Sequence, residues 1–174
     1  QDRHRQEQLQ TGAKHLREGE ALVAEYRELR DQVPVLERRW KEAAAKHELW
    51  KPVWERQDEI AAWKEYQERQ QALEARFLDA VPAMTKAWET APAGSAVKED
   101  ARRDLEALYM ERFREGERQG EIRLSPEHFK ALVQSLGIGT YREELEGAGE
   151  LGLTSVPPGA EVYCFRYEEH EQHL

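Results

Sequence analysis

The stretch LVAEYRELRDQVPVLERRWKEAAAKHELWKPVW, residues 22–54, decides how this chain is read. Leu22, Tyr26, Leu29, Val33, Leu36, Trp40, Ala43, His47, Trp50 and Trp54 follow one another at steps of four and three. A mean step of about 3.5 residues keeps side chains on one stripe of a helix, so the stretch predicts a helix packed along a seam against another helix. Two prolines interrupt it. Pro34 removes a helical hydrogen bond and crowds the preceding turn, so a kink or short break is expected there. Pro52 suits the first position of a new helix, with a tight turn just before it. Short connections join antiparallel neighbours, so the expected arrangement is a long antiparallel helical hairpin.

Upstream the stripe thins to Leu9 and Leu16, with Gly12 and Gly19 between them, and fraying is expected over those turns. Downstream, a second helix is expected from about Pro52 to Ala80, carrying Trp54, Ile60, Trp63, Tyr66, Leu73 and Phe77. Pro82 marks a kink or a new start, and Met84 and Trp88 continue a shorter piece. Ala91-Pro92-Ala93-Gly94-Ser95 reads as a loop. A third helix is expected from about Val97 to Gln119. Ser125-Pro126-Glu127 opens another that stops at Gly137, and a short one runs from Tyr141 to Glu146.

From Gly149 the texture changes to alternation. Leu151 and Leu153 share a face, Pro157-Pro158-Gly159-Ala160 turns the chain, and Glu161 to Tyr167 alternates again. That is the pattern of a β-hairpin. Two strands are marginal alone in water, so more sheet or a helix should cover them. The fold class is therefore mainly α: a hairpin over 1–91, a second helical region over 92–147, and a short C-terminal β-hairpin over 148–174.

Composition narrows the function classes. Of 174 residues, 39% are hydrophobic and 35% charged, and mean hydropathy is −0.92. An ordinary globular domain is near 45–50% apolar and ~25% charged, so elongated helices burying narrow stripes fit better than one thick core. Five Trp, six Tyr and four Phe argue against disorder. A net charge of −9, with acid and base interleaved, disfavours nucleic acid and anionic membranes as partners. Nothing approaches the ~20 apolar residues of a membrane span. The single Cys164 suits a reducing, cytoplasmic setting. The start at Gln1, without Met or signal peptide, is what a fragment of a longer protein would show.

Candidate chemistry is sparse. His47 in the seam reads as a register-setting polar residue rather than a metal ligand, since no His or Cys lies a turn away. His170 and His173 among glutamates have metal-ligand spacing, but terminal residues seldom form such sites. Cys164, between Tyr163 and Phe165, reads as a buried thiol rather than a nucleophile. The phosphate-loop, dinucleotide, serine-hydrolase and zinc-protease motifs are absent, as are the protein-kinase signatures. No catalytic residue, cofactor or metal is expected.

The end of the chain bears a resemblance. Gly149-Glu150-Leu151-Gly152-Leu153-Thr154-Ser155-Val156-Pro157-Pro158-Gly159-Ala160-Glu161-Val162 resembles the opening of a PEGA-type β-domain. The following Tyr163-Cys164-Phe165-Arg166-Tyr167-Glu168-Glu169 resembles a variant in bacterial multidomain serine/threonine kinases. In those proteins a kinase domain precedes a helical region, this β-segment and often a domain like the formylglycine-generating enzyme. Leu105 to Glu121 is similar to the second helix of a tetratricopeptide-like unit in that region, although no 34-residue repeat is visible. Tyr141 with Glu144-Leu145-Glu146-Gly147 fits the same region, and Leu49-Trp50 with Trp54 to Glu59 resembles the turn before its middle helix. The resemblance implies an inter-domain linker that contacts a protein partner or other domains of its own chain.

The residues expected to carry packing or partner contact are Leu22, Tyr26, Leu29, Leu36, Trp40, Trp50, Trp54 and Trp63. Two alternatives stand beside the linker: a free-standing coiled-coil homodimer acting as an adaptor, and a small-molecule or metal-responsive sensor.

Overall fold

The computed structural model describes residues 2–48, 50–119, 126–147, 161 and 163, and the protein is mainly helical. The helices are α1 (Asp2–Ala44), α2 (Gln57–Thr90), α3 (Ala96–Gln119), α4 (Pro126–Leu136) and α5 (Arg142–Glu146), with a 3-10 turn at Val53–Glu55. The chain divides into two compact units, 1–141 and 142–174. The β-hairpin expected over 148–174, Cys164, His170 and His173 lie outside the described residues. Of that stretch only Glu161 and Tyr163 are described, and the Tyr163 hydroxyl donates to Glu161 Oε2 at 2.6 Å.

Within the first unit α1 and α2 run antiparallel. Gly12 sits against Ala91, Gly19 against Met84, Tyr26 against Phe77 and Trp40 against Tyr66. Each step along α1 thus meets an earlier part of α2. The α1 stripe that is buried is Gly12, Leu16, Gly19, Val23, Tyr26, Val33 and Ala43. Facing it from α2 are Leu73, Phe77, Ala80, Met84 and Ala87. Both stripes follow steps of three and four, as a helix pair with one shared seam requires.

Three sequence expectations change. The first turns of α1 do not fray: the helix is continuous from Asp2. Its glycines are the reason. A Cβ on Gly12 would lie 3.0 Å from Ala91 Cβ, and one on Gly19 would lie 2.9 Å from Met84 Sδ. The missing side chains let the two helices approach closely, which offsets glycine's weak helix preference. Of the kink or interruption expected at Pro34 and at Pro82, no interruption forms: each lies inside a continuous helix. Pro52 does not open α2. It is extended, with φ −66° and ψ 153°, and precedes the 3-10 turn, so that α2 begins at Gln57.

The other helices form where their end signals lie. Ser95 Oγ accepts the Lys98 amide at 3.3 Å, an N-cap for α3. Gly137, with φ 67°, ends α4 in the left-handed conformation. Arg102 on α3 donates its Nε to the Leu136 carbonyl at 2.7 Å and so satisfies the last turn of α4. Aromatic contacts close the unit: Phe77 meets Tyr26 at 5.9 Å and Phe129 at 5.8 Å, and Phe129 meets Tyr109 at 6.4 Å between ring centroids. One chain of rings therefore joins α1, α2, α4 and α3. In the second unit, Leu145 of α5 is buried and Gly147 ends the helix at φ 70°.

Candidate interaction surface

The eight residues singled out from sequence separate into three environments. Tyr26 is fully buried at the centre of the α1–α2 seam. Leu22, Leu29, Leu36 and Trp40 are half-buried along its edges, and the Trp40 ring stacks on Tyr66 at 5.7 Å. Trp50, Trp54 and Trp63 are open to solvent at 78%, 75% and 47%. The seam residues thus pack within one chain, and the tryptophans near the hairpin apex do not.

The apex is held by short polar contacts. His47 and Asp58 join the two arms at 2.6 Å from Nε2 to Oδ1. His47 is only 16% exposed in its side chain, so it sits inside the turn rather than in the helical seam. This hydrogen bond lowers the Asp58 carboxyl below its ordinary value. Arg56 Nε donates to Glu59 Oε2 at 2.6 Å one turn on, and that bond lowers Glu59 similarly. Backbone bonds from Glu55 to Pro52, from Arg56 to Val53 and from Ile60 to Arg56 make the apex a sequence of tight turns. Val53, in the 3-10 turn, is 63% exposed beside Trp54, and Ile60 is also open. Sequence reading missed Val53 as a surface residue because it placed Pro52 and its successors inside a helix.

A second polar cluster ties α3 to the hairpin. Glu111 accepts Arg27 Nε at 2.9 Å and Arg30 Nη1 at 2.7 Å. Arg112 pairs with Glu74 of α2 and, at 3.2 Å, with Glu115, while its guanidinium lies 4.7 Å over the Phe77 ring. Burial pushes the Tyr26 phenol well above its usual value, with Glu115 adding to the effect. Every charge in the cluster has an opposite partner beside it, so its evident task is fastening helices rather than chemistry.

Glu106 is the exception to that pairing. It is 1% exposed, and neither carboxylate oxygen has a hydrogen-bond partner among the described residues. An open groove of about 490 Å³ lies on the α1–α2 pair, lined by Glu25, Glu28, Leu29, Gln32, Arg69 and Arg76 among others. Arg76 Nε contacts Glu25 Oε2 across it at 2.7 Å. Among the described residues no three His, Cys, Asp or Glu side chains gather as a metal site, and no helix is long and apolar enough to cross a membrane.

No protein-family model matches the chain, and neither does any curated protein or solved structure.

Proposed function

We propose that this segment is a non-catalytic linker and protein-interaction module of a bacterial serine/threonine kinase. In this reading it spaces a kinase domain from a distal domain in the cytoplasm and presents the apex of its hairpin to a protein partner. The observation that carries the interaction half is the exposure of Trp50, Val53 and Trp54 at one end of a hairpin whose seam is otherwise filled. Exposed aromatic clusters on a polar protein are the usual mark of a contact surface, and tryptophan is prominent among residues that dominate binding energy.

The spacer half is supported by length. At 1.5 Å per residue the 43 residues of α1 extend about 65 Å, and the 34 of α2 about 50 Å. The coiled-coil character of the α1–α2 pair and the tetratricopeptide-like reading of α3 and α4 belong to the same proposal. So does the PEGA-type end, which rests on the residues from Gly149 onward. Determining the coding sequence upstream of Gln1 tests the assignment. A kinase catalytic domain in frame is expected, and its absence from the complete reading frame would overturn it.

A further inference from the structure

We infer that α4 is a releasable latch on α3, fastened by Arg102 at its last turn and loosened by the buried Glu106 carboxylate beneath it. This device lies away from the hairpin apex and does not rest on the linker reading.

Register places Glu106 under α4. Arg102 of α3 bonds the Leu136 carbonyl at the end of α4, and the Tyr109 ring lies 6.4 Å from Phe129 near its start. The two helices therefore run antiparallel. At 3.6 residues per turn, positions 102, 106 and 109 fall on one stripe of α3. Glu106 thus sits between Arg102 and Tyr109 on the side that α4 covers. The buried residues of α4 are Phe129, Val133 and Leu136, an entirely apolar set. Beneath that face Glu106 is 1% exposed, and neither of its oxygens has a hydrogen-bond partner among the described residues.

Docking of α4 therefore serves one polar group and strands another. The Leu136 carbonyl accepts Arg102 through Nε at 2.7 Å and through Nη2. The Glu106 carboxylate gains nothing, and a buried carboxyl without a partner costs free energy whether it holds its charge or a proton. When α4 lifts, water reaches both groups, and Arg102, one turn away, is free to pair with Glu106. Only apolar contact is lost: Val133 and Leu136 first, then Phe129 against Phe77 and Tyr109. The hairpin seam is built differently. It buries stripes along helices of 43 and 34 residues, against 11 in α4, and among the described residues it leaves only the neutral Tyr26 hydroxyl unpaired. The weakest-held element opens first, so α4 lifts while α1 and α2 stay closed. Lifting bares the stripe Phe129, Val133 and Leu136.

The test is thiol labelling of the whole chain under native conditions, in a Cys164→Ser background. Val133→Cys puts a thiol under α4, and Val33→Cys puts a matched one in the hairpin seam; the two valines are 2% and 4% exposed. With an aromatic disulfide reagent, the thiol at position 133 should label at least about 10-fold faster than the one at position 33. Its rate should also depend only weakly on urea, because little surface opens with it. Leu136→Cys supplies a second reporter of the same interface should Val133→Cys unfold. Glu106→Leu and Glu106→Met, made separately, should each slow labelling under α4 by about 5-fold or more, the effect of removing a buried group without a partner. Arg102→Gln should speed it. Labelling of both positions at one rate with one urea dependence would mean that α4 opens only when the whole chain unfolds, and overturns the inference. So do Glu106 variants that leave labelling under α4 unchanged or make it faster.

Discussion

Replacing Gly19 with Ala asks directly whether close helix approach sets the fold. On an isolated helix the change is favourable by about 0.8–1.0 kcal/mol, because alanine loses less backbone freedom than glycine. In this protein the new Cβ would stand 2.9 Å from Met84 Sδ, 3.0 Å from its Cγ and 3.1 Å from its Cε. Met84 is flexible, but it is 0% exposed and has no open surface to move into. Overpacking of this kind costs about 1–3 kcal/mol. The net effect is a loss of about 0–2 kcal/mol, with the melting temperature falling by roughly 2–4 °C per kcal/mol in a chain of this size. Met84→Ala alone should cost about 2–5 kcal/mol by leaving a cavity. In that background the clash disappears, and Gly19→Ala should stabilise by about 1 kcal/mol. The cycle therefore has a coupling of about 1–3 kcal/mol, readable from urea unfolding of the four proteins. Additive effects, or a single Gly19→Ala variant more stable than wild type, would refute the close-packing argument.

Other expectations follow from the polar groups. Glu106→Met removes a buried carboxylate without partners and should raise stability by about 1–3 kcal/mol in urea unfolding; a fall would mean that the carboxylate is held by a contact. Arg112→Met leaves Glu74 without its Arg112 partner, and thermal unfolding should show a loss of about 1–3 kcal/mol that Glu74→Gln partly relieves. The lowered Asp58 and Glu59 carboxyls stabilise the folded state above their unfolded values, and that contribution is lost as pH falls through the folded ones. Asp58→Asn should accordingly flatten the acid limb of the stability–pH curve and leave the neutral limb parallel to wild type.

The periodic reading of residues 22–54 found the helical class, the antiparallel pairing and the central contacts at Tyr26, Val33 and Ala43. It did not include Val23, which is buried in the same seam. Leu22, Leu29 and Leu36 are larger apolar residues than Val23, yet Val23 is buried and the leucines are half-buried. Backbone distance decides that choice, and Gly12 and Gly19 set the distance by what they lack. An apolar-residue count cannot register a missing Cβ. The three-and-four spacing also ran on through His47 to Trp50 and Trp54, although α1 ends at Ala44. A period read from types alone does not report where the helix stops, and so the solvent-facing apex was taken for seam. The start and stop of α4 were legible because Pro126 and Gly137 act locally. Glu106 gave no signal, since a glutamate every few residues is what a solvated face also contains.

The central claim is that α1 and α2 close on each other within one chain, leaving the apex as the free surface. Disulfide trapping tests it most directly. In a Cys164→Ser background, cysteines at positions 12 and 91 would bring their Cβ atoms to 3.0 Å, about half an ångström closer than the usual disulfide range of about 3.5–4.5 Å, so the chain must ease apart slightly there for the bond to close. Oxidised at low concentration and run on a denaturing gel without reductant, this variant should give a cross-linked monomer. A disulfide-linked dimer as the main product would contradict the account.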